Sequence, residues 1–255
     1  MKGLLWKEWT LYKSWLFGSA VMGIGVVLIL PIILERYLLT TVSIQDLRVG
    51  LLSIMLGFSV INIIIQFNTS LNSDNGKKDM WLHSPHSMHT LIGAKFIFSF
   101  VIYFVGNIII TTCGIYFLRG VFLGSFVQMF NFQLLLLAIM LLAGVFCAIT
   151  WLVFWTVYLE GKYWIGKFSV ITTVVTFFLL ASYLPKLLTF LSLDKLLKQG
   201  EISLEFLRGH FPRITTTNFT VDLGSIYIVE ELFTWTIFTL VFWFVCKWLE
   251  RVVTR

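Results

Sequence analysis

Apolar runs about as long as a bilayer is thick recur along this chain, and they constrain its fold more than any other feature. A span needs roughly 20 apolar residues, and the chain of 255 residues has room for about six. The first lies at about Trp15–Leu34, with Gly18, Gly23 and Gly25 small enough for close helix contact. The second is about Val49–Phe67, the third Ala94–Leu118, the fourth Phe132–Tyr158, the fifth Phe168–Leu184, ending at Pro185, and the sixth Leu232–Leu249. The composition agrees, because 58% of residues are hydrophobic and only 13% charged, against about a quarter charged in soluble domains. The expected fold class is an all-α membrane protein of six transmembrane helices, a single transmembrane domain over residues 1–255. No cleavage site for a secretory signal is visible, so the first run is expected to stay as a helix.

The remaining stretches are short. Residues 1–14 mix Leu4, Leu5, Trp6, Trp9 and Tyr12 with Lys2, Lys7 and Lys13, the pattern of an amphipathic helix at the membrane interface. Glu35–Arg48 reads as a polar turn, Arg119–Asn131 as a connecting loop and Glu160–Lys167 as a tight basic turn. Residues 186–231 are the one long piece between spans. Within it Leu187–Lys198 is amphipathic, Gly200 breaks it, Glu201–Arg208 suits another helical turn or two, and Thr215–Asp222 is extended.

Charge orients the chain. An even number of spans puts both termini on one side, with Lys77, Lys78, Lys95, Lys162, Lys167, Lys247, Arg251 and Arg255 joining the N-terminal lysines there. The short loops of the other side carry Arg36, Arg48 and Arg119. The positive-inside rule places the termini and the Asn72–Lys95 loop in the cytoplasm and residues 186–231 outside. The net charge of +6 is spread over span ends, which suits lipid headgroups and excludes a nucleic-acid surface. Cys113, Cys147 and Cys246 lie within apolar runs and read as small hydrophobes.

The candidate chemistry is sparse. Gly161–Lys167 (GKYWIGK) fits the first seven positions of a phosphate-binding loop, but Phe168 stands where a hydroxyl would hold magnesium, and no strand precedes it. The chain is therefore expected to have no ATPase site. His83, His86 and His89 recur every third residue, which leaves the outer two about 120° apart on a helix, a poor metal site. Glu230-Glu231 resembles the paired glutamates of intramembrane prenyl-protein endopeptidases. Trp235 replaces the arginine of that motif, so two solvated carboxylates at a helix N-terminus fit better. Inside the spans, Ser59, Asn62 and Gln66 share one helical face, as do Ser169, Thr172, Thr173 and Thr176. These stripes suit either hydrogen bonding between helices or the lining of a pathway.

Asn72–Lys95 (NSDNGKKDMWLHSPHSMHTLIGAK) is the longest polar interruption in the first two thirds of the chain. Ser84 is placed to cap a helix and Pro85 to begin it, with the Trp81-Leu82 pair just before. A helix over about His86–Ile92 is too short to stand alone in water, so it needs a surface to dock on, expected to be another protein.

In KDMWLHSPHSMHTLIGAK, an Asp, a WLHSP core and a GAK at the next span resemble the cytoplasmic loop of permease subunits of type-2 ATP-binding-cassette exporters. The nearest likeness is to a Gram-positive subset that includes the acetoin-utilisation and phenol-soluble-modulin exporter types. MKGLLWKEW is similar to the N-termini of that subset. The resemblance implies a coupling loop over 72–93, docking through Trp81, Leu82, Ser84, Pro85, Met88 and Leu91 on a separate cytoplasmic ATPase subunit that binds ATP and magnesium. It implies a second permease as a homomeric or related partner, and a route lined by the second and fifth spans. It further implies an outer cap at 186–231, with amphipathic or hydrophobic cargo such as a peptide toxin, an antimicrobial or a lipid-like molecule. A non-transporting sensor or immunity protein for antimicrobial peptides is the first alternative, and an intramembrane hydrolase the second.

Overall fold

A computed structural model describes residues 44–75, 87–117, 122–190, 197–214 and 224–253, with residues 3, 5–10, 12–13, 18, 21, 25, 29, 32–33 and 36 before them. The protein is almost entirely helical, and among the described residues four helical stretches are long and apolar enough to cross a membrane. Among the described residues five long helices carry the fold: α1 (Ile44–Asn75), α2 (Met88–Phe117), α3 (Phe126–Ile165), α4 (Ser169–Phe190) and α5 (Ile228–Val253). Most of the expected first span lies outside the described residues. No described atom lies within 4 Å of where a Cβ would stand at Gly18 or Gly25, so the close contact expected there is not made by described residues.

Each helix is longer than the span read from hydropathy, and at the starts of α2 and α3 the capping residues explain why. Ser87 precedes α2, and its carbonyl accepts the amides of Thr90 (2.9 Å) and Leu91 (3.1 Å). Residues 88–92 are thus the first turn of the third span, not a separate short helix, and Ser87 takes the capping place expected of Ser84. The helix α3 starts six residues before the expected Phe132, inside what reads as a loop. Ser125 and Gln128 form a reciprocal capping box there: Gln128 N–H donates to Ser125 Oγ (3.3 Å) and Ser125 N–H to Gln128 Oε1 (2.8 Å). The helix α4 continues through Pro185 to Phe190. Glu230 and Glu231 fall in the first turn of α5, where the helix dipole favours them.

The apolar stretch Phe126–Tyr183 has 58 residues, and as one straight helix it would be about 87 Å long, nearly three hydrocarbon thicknesses. It folds back instead. Gly166, at φ +62, opens a single 3-10 turn over Gly166–Phe168. Ser169 Oγ then donates to the Tyr158 carbonyl at 2.6 Å, atoms that an unbroken helix would hold about 16 Å apart. Phe154 and Phe177 meet edge to face at 5.2 Å. The turn lies a few residues later than the expected Glu160–Lys167.

The segment before α5 contains strands where helix was expected. Gly200 does break the chain, at φ +72, but Glu201–Ser203 is β2, antiparallel to β4 (Ser225–Tyr227), with Ile202 opposite Ile226. A 3-10 helix over Leu204–His210 follows, and β3 (Arg213–Ile214) pairs antiparallel with β1 (Phe122–Leu123). Thr215–Asp222 lies outside the described residues.

The contacts divide the chain into two compact units. The first comprises Met1–Ser70, Ala94–Val145 and Phe206–Leu223, and the second Leu71–Gly93, Phe146–Glu205 and Gly224–Arg255. In the first unit, Leu52, Leu56, Ile115 and Phe132 form a buried cluster, with Met129 and Phe211 against it. In the second, Trp155 Nε1 donates to Asn72 Oδ1 at 3.1 Å, and Phe146 meets Phe238 edge to face at 5.2 Å.

Candidate functional site

The first unit is built around a polar seam that hydropathy alone hides. On α2, Lys95, Ser99, Tyr103, Asn107 and Thr111 recur every fourth residue, and all five are buried. Four-residue spacing keeps side chains on one helical face with a slow drift, so the five form one stripe. Opposite them, α1 presents Ser59, Gln66 and Ser70, also buried, with Asn62 half-buried at the edge.

The two helices run antiparallel in constant register. Ser70 meets Lys95, and Ser59 Oγ lies 2.9 Å from Asn107 Oδ1 and donates to it. At the far end, Leu52 Cδ1 lies 2.5 Å from where a Cβ on Gly114 would stand. From residue 52 to residue 70 the seam spans about 27 Å, close to the ~30 Å hydrocarbon thickness of a bilayer. Within it, Asn107 Nδ2 donates to the Tyr103 carbonyl (2.9 Å), and Thr111 Oγ1 to that of Asn107 (2.7 Å). Tyr103 reaches α3, its hydroxyl donating to the Met140 carbonyl at 2.7 Å. Gln133 of α3 completes the row by donating to Thr112 Oγ1 at 2.7 Å.

A buried ion pair closes one end of the seam. Residues 5–10 are helical, and Glu8 points inward while Trp6 and Trp9 are exposed. Lys95 Nζ donates to Glu8 Oε1 at 2.9 Å, to the Ser70 carbonyl at 2.8 Å and to Ser70 Oγ at 2.9 Å. Ser70 Oγ donates to Glu8 Oε2 at 2.8 Å. Both charged side chains are only 4% exposed. In low dielectric such a pair holds its geometry firmly, because removing either partner leaves a buried charge unsatisfied. Tyr12, one turn after Glu8, sets its ring 6.1 Å from that of Phe98. The amphipathic N-terminal helix thus turns a carboxylate, rather than an apolar ridge, toward the protein. Reading the N-terminus by its lysines and aromatics missed Glu8; the signal was one acid among Trp6, Lys7 and Trp9.

The expected site residues fall as follows. Trp81, Leu82, Ser84 and Pro85 lie outside the described residues, as do His83 and His86. Met88 is buried within the chain, and Leu91 and His89 are half-buried. Among the described residues no group of His, Cys, Asp or Glu is arranged to hold a metal ion. Ser59 and Gln66 sit inside the seam, and both amide atoms of Gln66 are unpartnered among the described residues. Ser169 is buried and occupied with the α3–α4 turn. Thr173 and Thr176 are half-buried and Thr172 exposed, each hydroxyl donating to the carbonyl one turn earlier: Thr172 to Phe168 (3.4 Å), Thr173 to Ser169 (2.9 Å) and Thr176 to Thr172 (2.8 Å). The two stripes belong to different units.

At the end of the first unit away from Lys95, the segment before α5 is fastened to the start of α3. Gln128 Nε2 donates to the Gly209 carbonyl at 3.0 Å and Asn131 Nδ2 to that of His210 at 3.4 Å. Phe211, next in the chain, packs on the apolar cluster. Comparison of the chain with family models, with curated proteins and with solved structures found no match to any of them.

Proposed function

We propose that the chain is the permease subunit of a type-2 ATP-binding-cassette exporter, driven by a separate ATPase. The observation that carries this reading is the Glu8–Lys95 ion pair. The two short stretches that resemble such permeases are MKGLLWKEW at the N-terminus and the loop ending in GAK. Glu8 belongs to the first and Lys95 to the second, so the pair gives a physical reason for the two to occur in one chain. The four apolar helical stretches are consistent with six spans once α3 and α4 are counted separately and the first apolar run is added.

In this reading both termini and the 72–93 loop are cytoplasmic in a bacterial plasma membrane. The loop docks through Trp81, Leu82 and Leu91 on the ATPase, which binds ATP and magnesium. Two permeases, identical or related, enclose the route, since the first unit's interior is filled by its own seam. Asn62, half-buried in its unit, is the candidate lining residue of the second span, and Thr172, Thr173 and Thr176 are those of the fifth. Residues 186–231 cap it outside, tied down by Gln128 and Asn131. The uncharged, aromatic-rich spans suit amphipathic or hydrophobic cargo.

The test is copurification from cells coexpressing the chain with its ATPase. Trp81→Asp combined with Leu91→Asp should abolish recovery of the ATPase while leaving membrane insertion intact. Undiminished recovery refutes the docking assignment.

A further inference from the structure

We propose that Glu8, acting through Lys95 and Ser70, is a positioning residue for energy transmission: it clamps the N-terminal helix to both stems of the docking loop. The inference rests on the exporter reading above and deepens it. The chain leaves the first unit immediately after Ser70 and returns to it at Ala94. The ion pair is made at those two places, Ser70 and Lys95, with Glu8 supplied from residues 62 and 87 positions away in sequence. Any displacement of the 72–93 loop that moves its stems must carry the N-terminal helix along or break the cluster.

The chemistry favours a geometric role over a stabilising one. A buried ion pair adds little to net stability compared with apolar side chains of the same volume. Its particular property is direction. Lys95 reaches one carboxylate oxygen, a backbone carbonyl and a hydroxyl, and the hydroxyl reaches the second carboxylate oxygen. Three chain segments are thereby fixed in one arrangement, where an apolar contact would let them slide. Trp6 and Trp9, exposed on the same N-terminal helix, suit the membrane interface. The clamp thus gives the loop a lever anchored at the lipid surface.

The difference between apolar replacement and charge removal supplies the experiment. The double variant Glu8→Leu/Lys95→Met removes the clamp without stranding a charge. It is coexpressed with the ATPase, reconstituted in proteoliposomes, and compared with the unaltered complex for ATPase recovery, ATP hydrolysis and cargo moved per ATP. Recovery should be retained, while cargo moved per ATP falls severalfold. A nitroxide on Lys13→Cys should gain mobility in the same variant. Should the double variant fail to insert, Ser70→Ala, which keeps both charges paired, is expected to lower cargo per ATP in the same direction. Wild-type transport per ATP with an unchanged nitroxide spectrum overturns the clamp. Loss of ATPase recovery in the variant also overturns it, since Glu8 and Lys95 would then serve docking alone. Failure of the unaltered chain to bind any ATPase refutes the exporter reading itself, a separate result.

Discussion

Substituting Gly144 by Ala tests the packing of α3 on the seam most sharply. A Cβ at Gly144 would stand 2.5 Å from Tyr103 Cε1 and 3.1 Å from Cδ1 and Cζ, where about 3.5–4.0 Å is comfortable for carbon atoms. The ring would have to retreat by about 1 Å. It has little freedom to do so, being 3% exposed with its hydroxyl held at 2.7 Å by the Met140 carbonyl one turn earlier on α3. Overpacking of this kind costs about 1–3 kcal/mol, and the strained hydroxyl bond adds about 1 kcal/mol. Against this, Ala is about 1 kcal/mol better than Gly in a helix interior. Gly144→Ala should therefore destabilise by about 1–3 kcal/mol in dodecyl-sulfate titration of mixed micelles followed by tryptophan fluorescence. In a Tyr103→Ala background the new methyl enters empty space, and the same change should be neutral or stabilising. Equal effects of Gly144→Ala in both backgrounds would refute the close approach.

Other consequences are simpler to check. A double-mutant cycle over Ser59→Ala and Asn107→Leu should give a coupling of about 0.6 kcal/mol, the usual size of a hydrogen bond between membrane helices; no coupling would separate α1 from α2 at this point. Ser169→Ala removes the Oγ bond to the Tyr158 carbonyl and should loosen the α3–α4 turn by about 1 kcal/mol, read as faster hydrogen exchange around residues 158–172. Cys246 is fully buried while Cys113 and Cys147 are partly accessible. A membrane-permeant maleimide should label the latter two first and Cys246 only after denaturation, and equal rates would contradict the placement of α5.

The four long apolar helical stretches were legible because bilayer thickness and the cost of an unpaired backbone in lipid leave few choices for apolar runs of this length. Their ends were not, because hydropathy does not see caps: Ser125 and Gln128 start α3 inside a stretch that reads as a loop. Gly200 was legible as a break, yet the strands after it were not, since Glu201–Ser203 gains its partner only at Ser225–Tyr227. The stripe Ser59, Asn62, Gln66 was visible by spacing alone. The longer stripe on α2 has equally regular spacing and was passed over, because its polar residues are diluted in a run whose average is strongly apolar. The role of Ser169 could not be read from its stripe, as its acceptor lies across a turn. Glu8 was least legible of all: its partners lie 62 and 87 positions away, and next to lysines and tryptophans a lone glutamate reads as surface.

The seam also predicts which parts move together. The helices α1 and α2 are joined at three levels: Ser70 to Lys95 at one end, Ser59 to Asn107 in the middle, and Leu52 against Gly114 at the other end. Sliding one helix past the other by a turn, about 5.4 Å, would break the first two bonds at once and drive Leu52 into a neighbouring side chain. Rotation of α2 would carry buried Asn107 and Lys95, and rotation of α1 buried Ser59 and Ser70, toward apolar surroundings, which is costly without new partners. The pair should therefore behave as one rod. Nitroxides on Ile61→Cys and Val101→Cys, both about half exposed and remote from the bonded face, report on this by electron–electron distance measurement. With and without ATP and the ATPase of the proposed complex, their mean separation should change by less than about half a helical turn. A shift near a full turn would show that the seam is a sliding surface, and would leave the Glu8 clamp with nothing rigid to hold.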